Sequence, residues 1–246
     1  MNKEGPFLYS LRFFLLAVIT IGSIAIMGLA ITSHLNSRKS DTSLPVFDEN
    51  DEYMIVIDPG HGGEDAGAIA SDGTLEKDLN LEISNLLYAL CQLNCTDAKM
   101  TRTEDTLLYD YYNDLSDYTG QKKVYDLKNR LKITESEENP VYVGIHMNKF
   151  SQSKYSGAQI YYSSNNDKSK ELAGDLRSLI KTHLQRDNNR NIKKADSSIY
   201  ILNNINAPAI LVECGFLSNE KELSQLKDES YRSGLALTIF ASICDL

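Results

Sequence analysis

The stretch that most constrains this chain is Met54–Asn80, MIVIDPGHGGEDAGAIASDGTLEKDLN. Met54–Ile57 is a short apolar, β-branched run that stops at Asp58-Pro59-Gly60, which predicts a buried strand, Met54–Asp58, entering a tight loop. Glu76–Leu93 follows with Leu79, Ile83, Leu86, Leu87 and Leu90 on one face at helical spacing, and Thr74 stands where an N-cap belongs. A strand, a glycine-flanked loop carrying His61, then a helix opened by a carboxylate is the start of a parallel α/β sheet.

The rest of the chain repeats the alternation. Strands are expected at Thr96–Thr101, Val141–Ile145, Gly157–Ser163, Ile199–Leu202 and Ala209–Val212, and helices at Lys122–Thr134 and Lys168–Gln185, with one or two more in Asn219–Leu246. This pattern predicts a single α/β domain with a mostly parallel sheet and helices on both faces. Thr103–Gln121 is polar and tyrosine-rich, without apolar periodicity. It reads equally as a functional loop, such as a lid or substrate wall, and as a solvated insertion.

Ahead of this domain, Phe13–Ile31 is uncharged and long enough to cross a ~30 Å hydrocarbon core as a helix. It reads as a transmembrane or signal-anchor segment, and Gly28-Leu29-Ala30 leaves cleavage open. The flanking charges do not fix its orientation. The expected order is a flank at residues 1–12, the apolar segment at 13–31, a polar linker at 32–52 and a globular domain at 53–246, exported and facing away from the cytoplasm. A formal net charge of −9 argues against binding nucleic acid, whose backbone selects basic surfaces. No phosphate-binding glycine motif is present. Cys91, Cys95, Cys214 and Cys244 form no CxxC pair, so small buried thiols are expected in place of a disulfide or thiolate-zinc framework.

Parallel sheets bind ligands beyond the carboxyl ends of their strands. Asp58 with His61, Arg102, His146 and Glu213 each fall at or just past such an end. His61, His146 and one carboxylate make the two-histidine, one-carboxylate set of catalytic zinc. Glu76 opens the helix behind the His61 loop and can turn back as the third ligand, while Glu213 suits a general base. Singly, each has a plainer reading: a turn histidine, a satisfied interior histidine, and a carboxylate complementing a helix dipole. His34 and His183 have no evident partners.

IDPGHGGEDAGAI, LEKDLNLEIS, MTRTEDT, GIHMN, SGAQIYY and PAILVECGFLSN, in that order, resemble the zinc-dependent N-acetylmuramoyl-L-alanine amidases of bacterial cell walls. The resemblance runs from about Tyr53 to the C-terminus. It implies one Zn2+ held by His61, Glu76 and His146, with Glu213 catalytic and Arg102 and Asn148 supporting substrate contact or orienting the site. The implied reaction is hydrolysis of the amide between N-acetylmuramic acid and the L-alanine of the stem peptide. Within the family, GIHMNKFSQSKYSGAQIYY, the apolar N-terminal segment and the lack of wall-binding repeats resemble the sporulation-specific cortex amidases, whose work precedes muramic-δ-lactam formation and affects germination. That likeness implies peptidoglycan as substrate, the space between forespore and mother cell as location, and a sporulation lipoprotein as partner, as in some relatives. Gly144-Ile145-His146-Met147-Asn148 stands where many members have Ser-Ile-His-Ala-Asn, so the pocket wall is expected to differ. The competing readings are a vegetative wall autolysin, a peptidase cutting within the stem peptide, and a catalytically silent homologue that binds glycan or a partner.

Overall fold

A computed structural model describes residues 53–246. The apolar segment Phe13–Ile31, its flank, the linker and His34 lie outside the described residues. No described helix is long and apolar enough to cross a membrane.

Six strands form one sheet: β1 (Met54–Pro59), β2 (Ala98–Met100), β3 (Pro140–Asn148), β4 (Gln159–Tyr162), β5 (Lys193–Lys194) and β6 (Ala209–Phe216), in the order β2-β1-β3-β6-β4-β5. The pairs among β2, β1, β3 and β6 are parallel, and β4 runs antiparallel to β6. The sheet is therefore mixed, with a parallel half on the side of His61. Six helices complete the domain: α1 (Glu76–Leu93), α2 (Lys122–Glu135), α3 (Lys168–His183), α4 (Tyr200–Asn204), α5 (Glu220–Lys227) and α6 (Glu229–Ile243).

Strand pleating divides the core in two, because alternate side chains point to opposite faces. Ile55 and Ile57 of β1, Val141, Val143 and Ile145 of β3, and Ile210 and Val212 of β6 pack with residues of α1, α3 and α6. On the other face, Tyr142 of β3 and Leu211 of β6 pack with Ile201 and Leu202 of α4, with Leu131 of α2 alongside. Each fully buried aliphatic side chain contributes roughly 1.5–3 kcal/mol relative to exposure. Helices thus cover both faces, as the alternation of elements implied.

Several local expectations change. Ile199–Leu202 is not a strand; Tyr200–Asn204 is a short helix, since an apolar run of four fits either element and here its burial against Tyr142 and Leu211 selects the helix. Thr74 is not the N-cap of α1. Leu75 holds that position, the N–H groups of Glu76 and Lys77 donate to the carbonyls of Ala68 and Ala66, and Thr74 Oγ1 donates to Asp72. β3 and β6 run past their expected ends, so His146 and Glu213 lie within strands. Lys193–Lys194, for which no strand was expected, pairs with Tyr161–Tyr162. All four cysteines are free, but only Cys91 and Cys214 are buried, while Cys95 and Cys244 are exposed.

The tyrosine-rich segment carries no helix or strand, yet it is anchored. Leu107, Leu108 and Tyr118 are buried. Asp126 of α2 accepts from the Leu108 N–H, and Asn129 donates to the carbonyls of Leu108 and Tyr109. These contacts anchor the segment on α2, while Asp110, Tyr111 and residues 113–117 between them are exposed.

Candidate active site

The site begins where β1 runs out. His61 takes a left-handed backbone (φ 62°), which non-glycine residues adopt only when held there. Gly60 lies against the His146 ring: a Cβ at that position would sit 2.2 Å from His146 Cε1. Gly67 has φ 66°, and a Cβ there would lie 2.6 Å from Glu76 Oε2 and 2.7 Å from His61 Cδ2. These two glycines let the loop close around the side chains.

His61 Nδ1 is 2.9 Å from Asp65 Oδ2, which fixes the ring and turns Nε2 toward Glu76. His61 Nε2 and His146 Nδ1 lie 3.2 Å and 3.1 Å from the same oxygen, Glu76 Oε1. The two rings meet edge to face with centroids 5.1 Å apart. Glu76 is fixed in turn: Oε1 accepts from the Met147 N–H and Oε2 from the Ala68 N–H. Burial opposes the ionisation of Glu76, but the two histidines outweigh it and hold the carboxyl well below its ordinary range. Burial likewise opposes a charge on His61, and Glu76 and Asp65 overcome it, raising the imidazole to about 8 in the metal-free protein.

This donor set fits a zinc ion. One ligand atom from each of His61, Glu76 and His146 lies within 4.8 Å of the others, the only such cluster among the described residues. Tetrahedral zinc with bonds of about 2.0–2.2 Å separates its ligands by about 3.4 Å, close to the 3.2 Å and 3.1 Å between Glu76 Oε1 and the two histidine nitrogens. The hydrogen bond that His61 Nδ1 donates to Asp65 is the outer contact that metal-binding histidines use to set tautomer and orientation.

Glu213 is the direct cross-strand partner of His146, so both side chains leave the same side of the sheet. Its Oε2 is buried without a hydrogen-bond partner. Burial, aided by the nearby charge of Glu76 and opposed by His146 and His61, raises Glu213 to about 7. A carboxyl group that changes charge near neutrality beside a cation site is suited to moving protons.

The other sequence candidates sit elsewhere. Arg102 is 3% exposed, and its guanidinium donates to the carbonyls of Pro59, Gly60, Lys77 and Glu104. It braces the His61 loop, and all four of these hydrogen bonds go to backbone carbonyls. Asn148 ends β3, where its carbonyl accepts from the Leu217 N–H. Asp58 does not join the convergent edge; it is buried beneath it, bonded to Arg130, Thr101 and Tyr142. Sequence reading missed Asp65, Arg130, Asp126 and the Lys77–Asp105 pair, whose members hold the two backbone polar groups of Gly63. A usable signal was present for two of them: Asp126 and Arg130 stand four apart on a helix, a spacing that brings them into contact.

Residues 55–245 match the N-acetylmuramoyl-L-alanine amidase family. The chain is similar to the germination-specific N-acetylmuramoyl-L-alanine amidase of Bacillus subtilis (strain 168), with 32% identity over 190 residues covering 77% of this chain and 78% of that protein. It is 30% identical to the N-acetylmuramoyl-L-alanine amidase LytC of the same organism, over 75% of this chain and 34% of that longer protein. Among solved structures, the CwlD amidase from Clostridioides difficile, in complex with the GerS lipoprotein, superposes with a TM-score of 0.71 at 41% identity, covering 79% of this chain and 97% of that one. The chain belongs to the N-acetylmuramoyl-L-alanine amidase family, whose reaction is on peptidoglycan.

Proposed function

We propose that this protein is a zinc-dependent amidase of spore cortex peptidoglycan, with His61, Glu76 and His146 as metal ligands and Glu213 as the proton-transfer residue. The observation that carries the reading is the meeting of three donor side chains from three separated segments beside a buried carboxylate oxygen that has no other partner. Bound there, zinc would supply Lewis-acid polarisation of the scissile carbonyl and activation of water near neutral pH. Glu213 takes a proton from the attacking water and returns it to the departing nitrogen. The carbonyl carbon gains an oxygen as the C–N bond breaks, leaving a lactyl carboxylate and a free L-alanine amine. Arg102 and Asn148 serve the site from its edge, Arg102 by holding the loop carbonyls and Asn148 from the end of β3.

The cortex assignment is supported by the similarity to a germination-specific amidase and to CwlD. The GerS complex of that neighbour supports a sporulation lipoprotein as partner. The catalytic domain occupies residues 53–246, with 13–31 as membrane segment and 32–52 as linker, and works outside the cytoplasm, in the space between forespore and mother cell.

Mass analysis of products from purified peptidoglycan tests the bond cleaved. Stem peptides beginning with L-alanine, alongside intact muramic acid, are expected. Fragments cut within the stem would overturn the amidase reading. Muropeptides of spores from a deletion strain test the substrate: loss of muramic-δ-lactam is expected, and a normal content would leave a vegetative wall enzyme.

A further inference from the structure

We propose that Arg130 is a positioning residue for the metal centre, acting through the backbone of His61. This rests on the reading of His61 as a ligand. At the end of β1 and just past it, the carbonyls of Pro59, Gly60 and His61 accept hydrogen bonds from side chains, and buried carbonyls need partners. Two guanidinium groups and one amide supply them. Pro59 O accepts from Arg102 Nε (2.9 Å) and Arg130 Nη1 (2.8 Å), Gly60 O from Arg102 Nη2 (3.0 Å) and Asn80 Nδ2 (3.1 Å), and His61 O from Arg130 Nη2 (2.7 Å).

Of these three groups only Arg130 reaches the carbonyl of His61, and it is itself locked. Its Nε donates to Asp126 Oδ2 (2.8 Å), Nη1 also to Asp58 Oδ1 (2.6 Å), and Nη2 also to Asp126 Oδ1 (3.4 Å). All five guanidinium N–H groups are thereby used. Asp58 is fixed by Thr101 Oγ1 and by Tyr142 Oη (2.6 Å). The chain of contacts runs from the sheet through Asp58 and Arg130 to a left-handed histidine whose ring faces Glu76. Lysine cannot replace it, because a single ammonium offers three donors from one point and cannot reach two carboxylates and two carbonyls together.

Structural support alone would lower stability without changing metal affinity in the folded state; positioning changes both. The test measures zinc dissociation constants by chelator competition, on the full chain, for wild type, Arg130→Lys, Arg130→Met and Asp126→Asn. Leu235→Ala, in the core of α6, serves as a control destabilised away from the site. Near-ultraviolet circular dichroism confines the measurement to folded protein. Affinity is expected to fall about tenfold or more in both Arg130 variants and less in Asp126→Asn, with Leu235→Ala unchanged. If Arg130→Met does not fold, Arg130→Lys and Asp126→Asn carry the test, since each keeps part of the buried charge balance. Wild-type zinc affinity in the folded variants overturns the positioning role alone. Failure of the wild type to bind zinc overturns the ligand assignment first and this role with it.

Discussion

Both sides of the His61 loop are built around buried carboxylates, and the two sides behave in opposite ways. Beneath the loop, Asp58, Arg130, Asp126, Thr101 and Tyr142 form a closed set. Burial opposes the charge on Asp58, yet Arg130 and the two hydroxyls keep its carboxyl below the ordinary range. Above the loop, Glu213 keeps a bare buried oxygen and rises to about 7, and two histidines crowd one oxygen of Glu76. The lower set satisfies itself and holds shape. The upper set keeps one buried carboxylate oxygen without a partner, and in the proposed reading a cation and a substrate complete it.

If that division is right, disturbing the upper side removes function and disturbing the lower side removes stability and precision. The largest effect is expected from His61→Ala or His146→Ala, which should lose bound zinc and all measurable peptide release. Metal analysis of the purified variants checks this, and a full equivalent of zinc in either would break the ligand assignment. Arg130→Met should destabilise the domain by about 3–5 kcal/mol, because Asp58 and Asp126 are left buried without their cation. Urea unfolding of metal-free protein reads that loss.

Gly60→Ala tests the boundary between the two sides. Its Cβ must displace the His146 ring, which should cost about 1–3 kcal/mol and weaken zinc binding. The smallest effect is on pH. With the folded-state imidazole of His61 raised to about 8, its ion pairing stabilises metal-free protein fully below about pH 6.5 and is lost as pH rises through 8. The shift corresponds to roughly 2 kcal/mol. The stability difference between metal-free wild type and His61→Gln should therefore shrink over that interval, and a constant difference would remove the proposed pairing. Glu213 also titrates near 7 and is held down in part by His61, so the two proteins are compared in a Glu213→Gln background, where that group is absent.

This contrast also explains what was legible in the sequence. His61, Glu76, His146 and Glu213 sit in glycine-bounded or strand-end contexts where a polar residue interrupts an apolar run, and such interruptions are visible. Most strands and helix faces were legible through periods of 2 and 3.6 residues, although β3 and β6 continue past their expected ends. Asp58 was legible as a polar residue but not as a buried one, since strand parity decides which face it takes. Arg130 and Asp126 look like the charged side of an amphipathic helix, and only the packing of α2 over β1 turns that face inward. Ile199–Leu202 was misread because four apolar residues carry no period. Arg102 was placed at the right edge, but whether a guanidinium meets substrate or backbone depends on loop geometry that spacing does not encode.

The most direct test of the account is Glu213→Gln, with bound zinc and released stem peptide measured on the same preparation. The account expects the zinc of the wild type to be retained while peptide release falls by about 10²–10⁴-fold. Undiminished release from a zinc-loaded Glu213→Gln protein would contradict it.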